Sequence, residues 1–134
     1  MSALNKQFTA AELTRIDEAD DLKISPLRDD GVTYGTPTWI WAVVVNDNLY
    51  ARAYSGIASR WHKAALKQKA GRIHAAGMVK DVSFEPICDR NIENSIDEAY
   101  KKKYNGSPYL AAMISTRAQS ATVKITLRQY SRTN

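Results

Sequence analysis

Residues 32–54, VTYGTPTWIWAVVVNDNLYARAY, decide how this chain can fold. Two runs rich in β-branched and aromatic residues flank Asn46-Asp47-Asn48, a polar cluster of the kind that turns one strand back onto the next. The stretch therefore reads as a long antiparallel hairpin. Val43-Val44-Val45 is continuously apolar where a half-exposed strand would alternate. Such a run suits a strand covered on both faces, as in a small barrel with a helix or a second subunit packed outside it.

Before the hairpin, Asp29-Asp30-Gly31 marks a turn, and LKISPLR (22–28) alternates Leu22, Ile24 and Leu27, with Pro26 suggesting an edge or a bulge. Further upstream, Thr9 with Glu12 forms a capping box and Phe8 with Leu13 a hydrophobic staple, so a helix begins at Thr9 and buries Leu13 and Ile16. It should end near Asp20 and Asp21, because acids are poorly placed in a last helical turn. After the hairpin a helix is expected from about Ser59 to Lys69, with Gly71 at the position of a C-cap glycine. GRIHAAG (71–77) and KDVSFEPI (80–87) make a strand pair around Gly77. NIENSIDEAYKKKYNG (91–106) is an amphipathic helix on Ile92, Ile96, Ala99 and Tyr100, closed by Asn105-Gly106. A short helical or turn segment near Pro108–Ser115 leads into a last strand, TVKITLR (122–128). The order is helix, three strands, helix, two strands, helix, strand. Six strands of this kind make two poor sandwich sheets but one small barrel with flanking helices, a mainly β class with α (α+β).

With 134 residues, 44% hydrophobic and 25% charged, the chain suits one domain over residues 1–134, its core spanning about 8–130. Nothing approaches the roughly 20 apolar residues of a membrane span, and the N-terminus lacks the basic-then-apolar order of a secretory signal, so a cytoplasmic protein is expected. A single cysteine, Cys88, excludes an internal disulfide and a cysteine metal cluster, and His62 and His74 alone give a zinc site little support. The net charge of +5 raises the question of nucleic acid. Its basic residues are dispersed, however, from Arg52 and Arg60 through the Lys101-Lys102-Lys103 run to Arg128 and Arg132, and that run reads as the last turn of a helix. No zinc-finger, RNP-type or helix-turn-helix signature is present, which argues against nucleic acid as a partner.

YARAYSGIASRW (50–61) is the stretch with the most chemistry. A helix N-terminus offers unpaired N–H groups and a partial positive charge, Ser59 is placed as an N-cap, Gly56 lets backbone approach a ligand, and Arg52, Ser55 and Arg60 supply donors. The junction reads as an anion site, with an ordinary solvated cap as the alternative. Trp41 and Trp61 read as packing residues and Trp39 as a possible ring contact. His62, His74 and Cys88 have no partner at a spacing that marks a nucleophile or base.

YGTPTWIWAVVVNDNLYARAYSGIASRWHKAALKQKAGRIHAAGMVKDVSFEPI (34–87), followed by IDEAYKKKY (96–104), resembles domain of unknown function 2255, grouped with split-barrel flavin-binding proteins related to pyridoxamine-phosphate oxidases and deazaflavin-dependent reductases. The most specific pieces are Thr36–Trp39, Tyr50–Arg52 with Ser55-Gly56, Ser59–Trp61 and Gly71-Arg72-Ile73. The resemblance implies a six-stranded split barrel that forms a homodimer. A phosphorylated cofactor, FMN or a deazaflavin, would lie across the subunit interface, with Arg52, Ser55, Gly56, Ser59 and Arg60 on its phosphate side and Thr36, Pro37, Thr38 and Trp39 bordering the ring. The function so implied is an oxidoreductase. The alternative is a non-enzymatic dimer that binds a small ligand or a protein on the same scaffold.

Overall fold

The computed structural model describes residues 7–128, so the outermost ends of the expected domain, Arg132 among them, lie outside the described residues. The elements are α1 (Ala10–Ala19), β1 (Lys23–Pro26), β2 (Thr38–Trp39), β3 (Ala42–Val45), β4 (Asn48–Arg52), a 3-10 turn (Gly56–Ala58), α2 (Arg60–Gln68), β5 (Ala70–Ala75), β6 (Met78–Pro86), α3 (Arg90–Lys103), α4 (Leu110–Met113), α5 (Thr116–Gln119) and β7 (Thr122–Leu127). The seven strands form one antiparallel sheet in the order β2-β1-β5-β6-β7-β4-β3, curled into a half-barrel.

Thr9 and Glu12 cap α1 reciprocally, and Leu13 and Ile16 are buried, as the sequence requires. The β3–β4 hairpin turns on Asn46 and Asp47, both at positive φ, the conformation a two-residue hairpin loop needs. Ala76 and Gly77 do the same between β5 and β6. The expected first arm of the long hairpin departs from expectation. Pro37 lacks an N–H and cannot continue a ladder, so the chain re-enters the sheet only at Thr38 and Trp39, which pair with β1 and make a seventh strand. Pro26 lies at the end of β1, past the reach of that short strand. Gly71 is not a helix cap either. Lys69 takes the left-handed position after α2, and Gly71 lies inside β5, where an added Cβ would stand 2.6 Å from the Pro26 Cα and the Ser25 carbonyl oxygen. The glycine is there so that β5 can lie against β1.

Alternation along β3 and β4 sorts the core onto two faces. Ala42, Leu49 and Ala51 join Ile24, Ile73, Val82, Phe84, Val123 and Ile125 on the inner face, which α1 closes with Leu13 and Ile16 and α2 with Ala65. Val43 and Tyr50 face outward onto Ile96, Tyr100 and Tyr104 of the α3 segment. The valine run is thus covered on both sides, and helix α3 supplies the outer cover. Helix α3 also reaches the rim of the sheet: the Lys103 ammonium donates to the Ala42 carbonyl (2.6 Å) and the Tyr100 hydroxyl to the Trp41 carbonyl (2.7 Å). Among the described residues, no helix is long and apolar enough to cross a membrane.

Candidate functional site

Three segments far apart in sequence meet around a groove of about 550 Å³, lined by Thr38, Trp39, Ile40, Trp41, Tyr54, Ser55, Ser59, Trp61, Tyr109 and Met113. All three tryptophans of the chain are among them. The lining contains no Asp, Glu, His, Cys, Lys or Arg. What it offers a ligand is aromatic surface and hydroxyl groups, with no acid, base or activated nucleophile.

Asp20, in the left-handed position that ends α1, anchors one wall. Its carbonyl accepts from the Trp39 indole (3.2 Å), and its carboxylate accepts from the Tyr104 hydroxyl (2.5 Å). Tyr104 in turn stacks in parallel on Trp41, with ring centroids 3.8 Å apart. Burial and the neighbouring Asp20 carboxylate push the Tyr104 phenol well above its ordinary pKa, so it remains a donor. On the other side Tyr54 and Tyr109 meet edge to face at 6.1 Å, and the Arg117 guanidinium lies 5.7 Å from the centre of the Tyr54 ring. Ser59 occupies the N-cap of α2 in an extended conformation, yet its side chain makes no capping bond, and the first turn of α2 carries no acid. That helix start remains an electropositive end beside the groove.

Thr38, Trp39, Ser55 and Ser59, expected from sequence, are brought together. Thr36 and Pro37 are exposed just ahead of β2 and lie outside the lining, with Thr36 serving as acceptor for the Thr38 hydroxyl (3.2 Å). Arg60 is exposed and also outside it. Gly56 has φ +69, and a Cβ there would lie 2.6 Å from Arg117 Cγ and 2.9 Å from the Arg117 carbonyl oxygen, so its backbone freedom serves the packing of α5.

Arg52 is the largest correction. It lies on the outward face of β4 with Tyr50, but α3 covers that face and leaves the residue 1% exposed. Its Nε donates to Thr122 (3.1 Å), Nη1 to Asp97 (2.5 Å) and the Met113 carbonyl (3.1 Å), and Nη2 to the Glu93 carbonyl (3.1 Å) and carboxylate (2.7 Å). All five guanidinium N–H groups are engaged within the protein, and none is left for a phosphate.

A family described as uncharacterized proteins conserved in bacteria, domain of unknown function 2255, matches residues 12–125. The chain belongs to this family. No curated protein matches it. Among solved structures it is similar to a conserved hypothetical protein from Mycobacterium tuberculosis, with a TM-score of 0.59 and 10% identity over 96% of this chain and 84% of the other. It is also similar to a Listeria innocua protein titled "putative pyridoxamine 5'-phosphate oxidase", with a TM-score of 0.59 and 10% identity over 87% of this chain and 88% of that one. At such identity the two likenesses speak to the split-barrel fold. The whole groove lies within the span matched to domain of unknown function 2255.

For this member of the family, sequence reasoning missed Tyr54, Trp41, Trp61, Tyr109 and Met113 as groove residues and Arg117 as the nearby cation. Tyr109 and Met113 sit in a short segment whose sequence carries no motif. His62, in which the sequence shows no nucleophile or base, is buried on α2 with its ring set edge to face against Trp61, centroids 5.9 Å apart, and Nδ1 has no hydrogen-bond partner.

Proposed function

We propose that the groove binds the ring of a flavin or deazaflavin, FMN being the simplest form, and that the protein is an oxidoreductase working as a homodimer. The observation that carries this is a concave surface of about 550 Å³ lined by Trp39, Trp41, Trp61, Tyr54 and Tyr109 without an ionisable acid, base or thiol. Sites for ligands of this size are typically about 300–1,000 Å³ and mostly apolar, with a few polar groups to set orientation. Trp39 and the tyrosine pair would hold the ring, and the Ser55 and Ser59 hydroxyls with the N–H groups at the start of α2 would hold a phosphate. Arg60, which follows Ser59, and Arg117, whose guanidinium lies 5.7 Å from the centre of the Tyr54 ring, would supply positive charge in place of Arg52. When bound, such a cofactor supplies hydride transfer, and the protein's part is to bind, orient and exclude water. The likeness in fold to the Listeria innocua protein titled "putative pyridoxamine 5'-phosphate oxidase" supports the same reading. A second copy is supported by the exposure of Trp39, Tyr54 and Tyr109, at 55%, 48% and 57%, around one groove.

A lining without carboxylate, imidazole, amine, guanidinium or thiol equally suits a non-enzymatic binding dimer, and the two readings separate by experiment. Because all three tryptophans line the groove, tryptophan emission excited selectively over that of the seven tyrosines reports on it. Titration with FMN, riboflavin and a deazaflavin should quench that emission, and light scattering should give a dimer mass. No quenching by any of the three defeats the cofactor reading; quenching without any reduction of the bound ring by a nicotinamide donor leaves the binding dimer.

A further inference from the structure

We infer that Arg52 and Tyr100 are positioning residues that hold the two walls of the groove in register. The inference rests on the reading of the groove as a ligand site, although the bracing itself is testable without a ligand. One wall contains Trp41 and the other contains Met113, and no strand ladder joins them. A continuous chain of hydrogen bonds, buried at Arg52 and part-buried at Trp41, does. The Trp41 carbonyl accepts from the Tyr100 hydroxyl (2.7 Å), the same hydroxyl accepts from the Arg52 backbone N–H (3.1 Å), and Arg52 Nη1 donates to the Met113 carbonyl (3.1 Å).

The arginine has little freedom to move along that line. Glu93 and Asp97 grip it from α3 and Thr122 from β7, while the second Asp97 oxygen accepts from Gln119 Nε2 (2.8 Å), which also donates to the Ile114 carbonyl (3.4 Å) at the end of α4. Every bond in the chain ends on the backbone of a groove segment or on a side chain that fixes Arg52. A buried, fully satisfied ionic network is weak evidence of extra stability, since apolar residues of similar volume often serve as well. What it does provide is a single geometry, and a ring site needs walls at one fixed spacing. Burial raises the pKa of the Tyr100 phenol, so the bridging proton stays in place across the neutral range.

The test compares wild type with Tyr100→Phe, which deletes only the bridging hydroxyl, Arg52→Lys, which keeps the charge but loses the fork, and Val82→Ala, a core truncation outside the groove. Each folded variant is measured for tryptophan emission without ligand and for FMN affinity by quenching. Tyr100→Phe and Arg52→Lys should shift the emission and weaken FMN about tenfold, while Val82→Ala lowers the melting temperature and changes neither. If all variants keep the wild-type emission while folded, the bracing is overturned, whatever FMN does. If wild type fails to bind FMN yet the emission shifts in the two brace variants alone, the cofactor reading falls and the bracing stands.

Discussion

Arg52→Ala should destabilise the whole protein, and the size of the effect can be worked from its partners. The side chain makes five donor contacts, two of them to the carboxylates of Glu93 and Asp97, which are themselves only 14% and 17% exposed. Removing one member of a buried ion pair leaves the other charge without compensation, at a cost of about 3–5 kcal/mol. Here two carboxylates lose their one ion-pair partner, keeping only the neutral donors Gln119 and Thr122, and the carbonyls of Met113 and Glu93 lose the guanidinium as well, so the upper part of that range applies. A domain of this length has roughly 7–20 kcal/mol of stability, enough for the variant to remain folded in buffer. With a urea m-value of about 2 kcal/mol/M, the unfolding midpoint should drop by about 2 M. Urea titrations followed by tryptophan emission and by circular dichroism measure it. In a Glu93→Gln/Asp97→Asn background the same Arg52→Ala change should cost much less, because the stranded charges are gone. A midpoint shift under about 0.5 M in the native background would refute the view that Arg52 belongs to the core.

Gly71→Ala should cost about 3 kcal/mol or more, since the new methyl would press on Pro26 and Ser25 backbone atoms that cannot swing aside; a melting temperature within a degree or two of wild type would contradict this. Thr9→Ala should remove about 1 kcal/mol by opening the α1 cap, with the loss read in thermal melts and the rest of the fold unchanged by circular dichroism. Burial holds the His62 imidazole below its ordinary 6.5, so the unfolded chain takes up that proton first: stability is full above about pH 6.5 and falls as pH drops below it toward the lower native value. Urea midpoints between pH 7.5 and 5.5 should therefore decline in wild type and stay flatter in His62→Leu. Equal slopes in the two proteins would remove His62 from the account.

The elements that sequence made legible are those fixed by local chemistry. The Thr9 capping box, the Asn46-Asp47 and Ala76-Gly77 turns and the 3.6-residue stripe of Ile92, Ile96 and Tyr100 each declare themselves within one or two turns of chain. Gly71 was misplaced because close approach by a strand 45 residues earlier leaves the same residue type as a helix cap, and nothing local separates the two uses. The site was legible by halves for the same reason. Ser55 and Ser59 stand beside a helix start visible in sequence, and they do line the groove. Arg52 has the right residue type on the right strand, but whether it meets a ligand or two carboxylates depends on where α3 lands, and only the packing of Ile96, Tyr100 and Tyr104 onto β3 and β4 decides that. Tyr109 and Met113 come from a segment without periodicity and join the groove through tertiary placement alone, as does Arg117, from a four-residue helix, in reaching the Tyr54 ring beside it.

The way α3 reaches the rim of the sheet also bears on how the protein behaves when crowded. An open antiparallel sheet has two outer strands whose spare backbone groups can recruit another chain, the usual start of fibril growth. Here one outer strand, β2, is only two residues long, and at the other Lys103 and Tyr100 already occupy the carbonyls of Ala42 and Trp41. A charged ammonium planted on that border repels an incoming strand as well as filling its place. An incoming strand would find two of its acceptors on that border already taken, which makes strand-by-strand growth there less favourable.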